Sequence, residues 1–149
     1  MELEAMNEAR RRDVYCRFVD CDCGREITSW RAPEVSHKRH RGMGWNPALD
    51  RTTPEELLLL CPRRHKESLW SVDQGGVYWV PMSPEKGANG PIIWLLDTTK
   101  LPDGPETFWL RSQARPDGSV ILAAEIAPHR YMPFFPAIIR ALDWLKSQP

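Results

Sequence analysis

The sequence predicts an α+β protein in three parts: a short N-terminal helix, a cysteine- and histidine-rich half, and a β-rich extension closed by a helix. Three observations predict it. All four cysteines fall within the first 61 of 149 residues. After residue 75 the chain turns into β-branched and aromatic runs bounded by Gly, Pro and Asp. It then ends on an apolar pattern with helical spacing. The parts are residues 1–13, 14–70 and 71–149.

Residues 2–13 are dominated by Glu, Ala, Asn and Arg and lack Gly and Pro, which favours a helix. VYCRFV and EITSW read as short strands around the turn Asp22–Cys23–Gly24. RGMGWNPALDRTTP, with its Gly and Pro pairs, reads as a loop. Residues 54–60 read as a turn and a short apolar segment, and residues 62–70 as the start of a helix. GVYWVP (76–81), IIWLLD (92–97), TFWLRSQ (107–113) and VILAAEI (120–126) read as strands, with Pro116–Ser119 as a hairpin turn. PAIIRALDWLK (136–146) reads as an amphipathic helix with Ile138, Ile139, Leu142 and Leu145 on one face.

Formal net charge is zero, yet the charge is uneven. Arg10 to Arg41 holds nine Lys/Arg against five Asp/Glu, whereas residues 71–149 hold seven against eight. A surface for a polyanion therefore belongs to the N-terminal half, where a local basic patch can act in a neutral chain. No apolar run is long enough for a membrane span, and MELEAMNEARRRD offers no secretory signal. The chain is accordingly expected in the cytoplasm, with reduced cysteines.

Reduced, clustered cysteines point to metal rather than to disulfides. Cys16, Cys21 and Cys23 sit close together, Cys21 and Cys23 among Asp20, Asp22 and Gly24 in a polar stretch poorly suited to buried thiols, and Cys61 stands apart. Zinc takes four soft or borderline ligands in a tetrahedron. Two sets satisfy it: all four cysteines, or three ligands including Cys61 with His65 as the fourth. His37, His40 and His65 each lie inside a basic run, SHKRHRG or PRRHKE. Basic side chains hold phosphates, while imidazoles ligate metals or take a proton from water near neutral pH. Gly42 and Gly44 suit a sharp loop, Trp30 and Trp45 suit packing or base stacking, and His129 reads as structural.

EVSHKRHRGMGWNP, a loop, then EELLLLCPRRHKE resembles the HNH endonuclease motif of small phage-type and prophage-type proteins, over about residues 14–68. The resemblance implies a ββα-metal core with a zinc knuckle, followed by a small antiparallel β extension and a C-terminal helix. It implies His37 as the general base and His65 as a ligand of a catalytic Mg2+ or Mn2+. Cys61 matches the first cysteine of the second knuckle. Three positions depart: Ser36 stands where a metal-ligating Asp or His is usual, Glu56 where Asn is usual, and Arg64 where a second Cys is usual. With all four cysteines on a structural Zn2+, His40 becomes the candidate to replace the ligand missing at Ser36. Lys38, Arg39, Arg41, Arg63 and Arg64 are then expected on DNA phosphates. The implied activity is hydrolysis of DNA in a bacterial host cell, by a host or phage gene product. The alternative is a catalytically decayed zinc module that binds nucleic acid or a protein partner, and a third reading is a phage structural or packaging component.

Overall fold

The structure, a computed structural model, describes residues 2–21, 23, 33–37 and 53–148. Helix α1 (Glu2–Asp13) forms where expected, and Arg10, Arg11 and Arg12 in its last turn complement the helix dipole. Ala5 and Ala9, one turn apart, are buried against Val35, Leu57 and Leu59. Alanine at both contact positions permits a close approach to the strands beneath.

Those strands are β1 (Glu34–His37) and β2 (Leu57–Leu60), paired antiparallel with Glu34 opposite Leu60 and His37 opposite Leu57. A turn of 3-10 helix, Pro54–Glu56, leads into β2, with Pro54 at its first position. All four leucines of β2 are buried because the pair is covered on both sides. Leu57 and Leu59 pack with α1, while Leu58 and Leu60 join the main core. A strand covered on both faces needs a continuous apolar run rather than alternation.

VYCRFV is not a strand. Val14 takes a positive φ of 67°, and the segment crosses beside β2 without extending it. The Asp13 carboxylate accepts from the Leu59 N–H at 2.9 Å, and the Arg17 N–H donates to the Leu59 carbonyl at 2.8 Å. EITSW lies outside the described residues.

The second sheet runs β3 (Val77–Pro81), β4 (Ile92–Asp97), β5 (Ser119–Ala127) and β6 (Arg130–Tyr131), in that order and antiparallel throughout. TFWLRSQ, expected as a strand, is helix α2 (Pro105–Ser112). Pro105 sits in its first turn, and Thr107 and Leu110 are buried while Phe108 is exposed. That i, i+3 pattern overrides the β-favouring residue types. Pro116–Ser119 consequently joins a helix to a strand and is not a hairpin. Gly118 takes the left-handed φ of +88° there, and its N–H donates to the Arg115 carbonyl at 2.8 Å.

Helix α3 (Pro136–Lys146) buries Ala141, Leu142 and Leu145. Ile139, expected on that face, is 45% exposed. One core joins the cysteine-rich half to the β extension: Cys16, Phe18, Leu60 and Cys61 pack with Trp70, Trp79, Trp94, Leu122 and Leu145. Among the described residues, no helix is long and apolar enough to cross a membrane.

A buried charge network reinforces that junction. Arg17 is fully buried and reaches Glu125 in a two-pronged pair, Nη2 to Oε1 at 2.8 Å and Nε to Oε2 at 3.2 Å. Its remaining donors go to Asp13 at 3.3 Å, the Gly90 carbonyl at 2.8 Å and the Ala88 carbonyl. Its own carbonyl accepts from Trp94 Nε1 and the Tyr131 hydroxyl. A desolvated guanidinium is tolerable only with such complete pairing.

Candidate metal centre

Three thiols come from the irregular segment after α1, and the fourth follows β2 directly. The Arg17 N–H bond to Leu59 holds the Cys16 backbone beside β2, and Asp20, at φ 46°, turns the chain between Cys16 and Cys21. Cys61 and Pro62 then open a single π-type turn, Arg63–Glu67. The sulfurs of Cys16, Cys21, Cys23 and Cys61 lie within 4.8 Å of one another. Cys21 Sγ and Cys61 Sγ are 3.8 Å apart, and none of the four cysteines is in a disulfide.

That spacing fits a tetrathiolate site. A tetrahedron with Zn–S arms of about 2.3 Å has edges of about 3.8 Å. Disulfide bonding would need about 2.05 Å. Four protein ligands also fill the tetrahedron and leave no open position, which is the mark of a structural rather than a catalytic site. The second ligand set fails on geometry: among the described residues His65 stands outside the cluster, and Cys23 completes it.

The thiols contend for one another's protons. Hydrogen bonding from Cys16, then from Cys21, draws Cys61 down to about 7, and the Arg64 backbone N–H adds to the pull. Cys16 is pushed up by hydrogen bonds to Cys21, Cys23 and Cys61 and by burial. At Cys21 the bond to Cys16 pulls down, but Cys23, Cys61 and burial outweigh it and the net direction is up. A bound cation would displace these protons.

His65 lies on the turn that Cys61 begins. Its Nδ1 meets Glu34 Oε1 at 3.0 Å, and its Nε2 faces Asp73 Oδ2 at 3.8 Å. Glu34 Oε2 accepts from Lys66 Nζ at 3.2 Å. Burial pushes the Glu34 carboxyl up, but its bonds to His65 and Lys66 win and hold it below its ordinary value. The segment after the turn folds back over it, with Val72 N–H on the Arg64 carbonyl at 2.8 Å and Asp73 N–H on the His65 carbonyl at 3.0 Å. Gly76 closes this return: a Cβ there would sit 2.1 Å from the Leu69 carbonyl oxygen, so no other residue fits.

Strand parity separates the histidines. Val35 packs under α1, so His37 projects to that face, whereas Glu34 and Ser36 share the opposite face with Leu58 and Leu60. Ser36 Oγ is buried and has no hydrogen-bond partner among the described residues. The structure thus brings His65 to Glu34 and Asp73, not to His37.

Comparison with protein-family models, with curated proteins and with solved structures finds no match for this chain.

Arg64 is a correction to the expected phosphate surface. It is 2% exposed, donates to the Trp70 carbonyl at 2.8 Å, and stacks over Phe18 with its guanidinium 5.2 Å from the ring centre. Its charge is spent on the core. Arg63 is half-buried beside Cys23 and Cys61. Lys38, Arg39, His40 and Arg41 lie outside the described residues, as do Gly42, Gly44, Trp30 and Trp45. His129 is structural as expected: it stacks on Tyr15 with centroids 3.9 Å apart, and its Nε2 bonds the Asp13 carbonyl.

Sequence reasoning missed Glu34 and Asp73. Glu34 had a usable signal, since it lies two residues before Ser36 and so shares its face in a strand. Asp73 had none.

Proposed function

We propose that this protein is a metal-dependent endonuclease of the HNH type, hydrolysing DNA phosphodiester bonds around a structural zinc held by Cys16, Cys21, Cys23 and Cys61. One observation carries the reading. Antiparallel β1 and β2 lead within a few residues into a helical turn bearing His65, and Cys61, at its start, belongs to the thiolate cluster. The resemblance implies the same order of strands and histidine, with a helix where the single turn Arg63–Glu67 stands.

His37, at the end of β1, is the proposed general base, and His65 a proposed ligand of the catalytic ion, with His40 a further candidate. Mg2+ or Mn2+ would supply charge neutralisation at the scissile phosphate. Lys38, Arg39, Arg41 and Arg63 are the proposed phosphate contacts.

The test is nicking of supercoiled plasmid by the zinc-loaded protein with Mg2+ or Mn2+. His37→Ala should lose about 10²–10⁴-fold in rate, the usual contribution of a positioned base, while keeping its fold and its zinc. Equal cutting by both proteins would place the base elsewhere.

A second reading has its own support. The buried Ser36 and the opposite faces of His37 and His65 favour a decayed module that binds nucleic acid without cutting it. Wild-type protein that binds plasmid yet leaves it intact with either ion would select that reading.

A further inference from the structure

We infer that His65 Nε2 and the Asp73 carboxylate form the protein's half of a divalent-cation site, with Glu34 as the residue that positions the imidazole. The inference deepens the nuclease reading and rests on it for the purpose of the ion. The site itself is argued from geometry.

Glu34 takes Nδ1 of His65 at 3.0 Å, and its other oxygen is occupied by Lys66. With a proton on Nδ1 donated to Glu34, the lone pair of Nε2 faces Asp73. A carboxylate on one ring nitrogen and a metal on the other is a common arrangement of ligating histidines, because the carboxylate fixes the tautomer and raises the basicity of the ring. The gap from Nε2 to Asp73 Oδ2 is 3.8 Å, beyond the roughly 3.2 Å of a good hydrogen bond. A cation about 2.1 Å from each atom would subtend an angle of about 130° there, and a small rotation of Asp73 narrows it.

Exposure and rigidity agree. The His65 and Asp73 side chains are 16% and 24% exposed, so water and a phosphate oxygen can complete the shell. Mg2+-type ions are usually held by one or two carboxylates and keep several waters or substrate phosphates. Asp73 is held by its N–H bond to the His65 carbonyl and by the Gly76 closure. The carboxylate that Ser36 cannot supply would thus come from beyond the motif, out of the loop after the turn.

The experiment follows Mn2+ titrated into the isotope-labelled, zinc-loaded full chain by NMR. Amide signals of His65 and Asp73 should broaden first, and Mg2+ should reverse the effect. Asp73→Asn, close in size and uncharged, should weaken Mn2+ binding by about tenfold or more while the rest of the spectrum stays folded. Asp73→Glu should retain part of the affinity. Glu34→Gln should weaken binding by about 10–100-fold, as loss of a partner behind a ligand does, with broadening still centred on Asp73. Absence of local broadening in the wild type at millimolar Mn2+ overturns the inference. So does unchanged affinity in Asp73→Asn, or broadening that survives in Asp73→Asn but is lost in Glu34→Gln. Mn2+ bound at Asp73 with plasmid left intact sinks the nuclease reading and keeps the site; nicking without Mn2+ near Asp73 does the reverse.

Discussion

Replacing Arg17 with methionine should loosen both halves of the chain in one step. The guanidinium is fully buried and pairs with Glu125 at 2.8 Å and Asp13 at 3.3 Å. Methionine matches much of its volume but leaves Glu125 in the core without its cation, while Asp13 keeps its pair with Arg12 at 2.7 Å. Breaking a buried pair in this way costs roughly 3–5 kcal/mol, which for a chain of this length lowers the melting temperature by about 6–20 °C. The Gly90 and Ala88 carbonyls lose their donors as well, so the cost belongs at the upper end. Denaturant unfolding of the metal-loaded protein measures it. Tryptophan emission reports mainly the second half, where four of the seven tryptophans lie, Trp94 buried among them. Visible absorption of Co2+ on the cysteines reports the other. Both signals should fall together, because Arg17 and the shared core join the halves. Adding Glu125→Gln removes that orphaned charge yet keeps an oxygen for the Ile92 N–H, which Glu125 Oε1 accepts at 3.0 Å. The double variant should recover about 1–2 kcal/mol. A loss under about 1 kcal/mol in Arg17→Met, or two separated transitions in the wild type, would refute the reasoning.

Other predictions concern metal and DNA. Cys61→Ser should yield a destabilised or insoluble protein with little bound metal, because ligation is coupled to folding; elemental analysis showing folded, metal-free wild-type protein contradicts the site. Zinc binding should release protons and tighten as pH rises, since the raised Cys16 and Cys21 must lose theirs. Acid titration with a zinc-sensitive dye should therefore show release as pH falls, and pH-independent retention would speak against thiolate ligation. Arg39→Glu with Arg41→Glu should weaken DNA binding and flatten its salt dependence without lowering the melting temperature. Unchanged affinity in that double variant would move the DNA surface elsewhere.

Much of the framework was legible because it rests on local signals. Helix-favouring residues without Gly or Pro gave α1, and the PAIIRALDWLK pattern gave α3. The run Leu57–Leu60 gave a buried segment, and the β-branched runs gave β3, β4 and β5. TFWLRSQ misled because Thr, Phe and Trp favour strands, while Pro105 and the burial of Thr107 and Leu110 decided for a helix. Arg64 sat in a basic run and looked solvated, yet its backbone position at the turn sends it into the core over Phe18.

At the site the division is similar. Cysteines in a polar, reduced setting point to metal by composition alone, so Cys16, Cys21, Cys23 and Cys61 could be named together before any coordinates. Their chemistry is intrinsic to the residue type. Sequence spacing could not choose between all four cysteines and a set that includes Cys61 and His65, because that choice depends on how the segment after α1 lies against the end of β2. The pairing of Arg17 with Glu125, 108 positions apart, and the return of Asp73 over His65 are likewise products of packing. Periodicity and residue chemistry act over a few neighbours and are written in the sequence. Which distant side chains share one small volume is settled only when the whole chain closes its core.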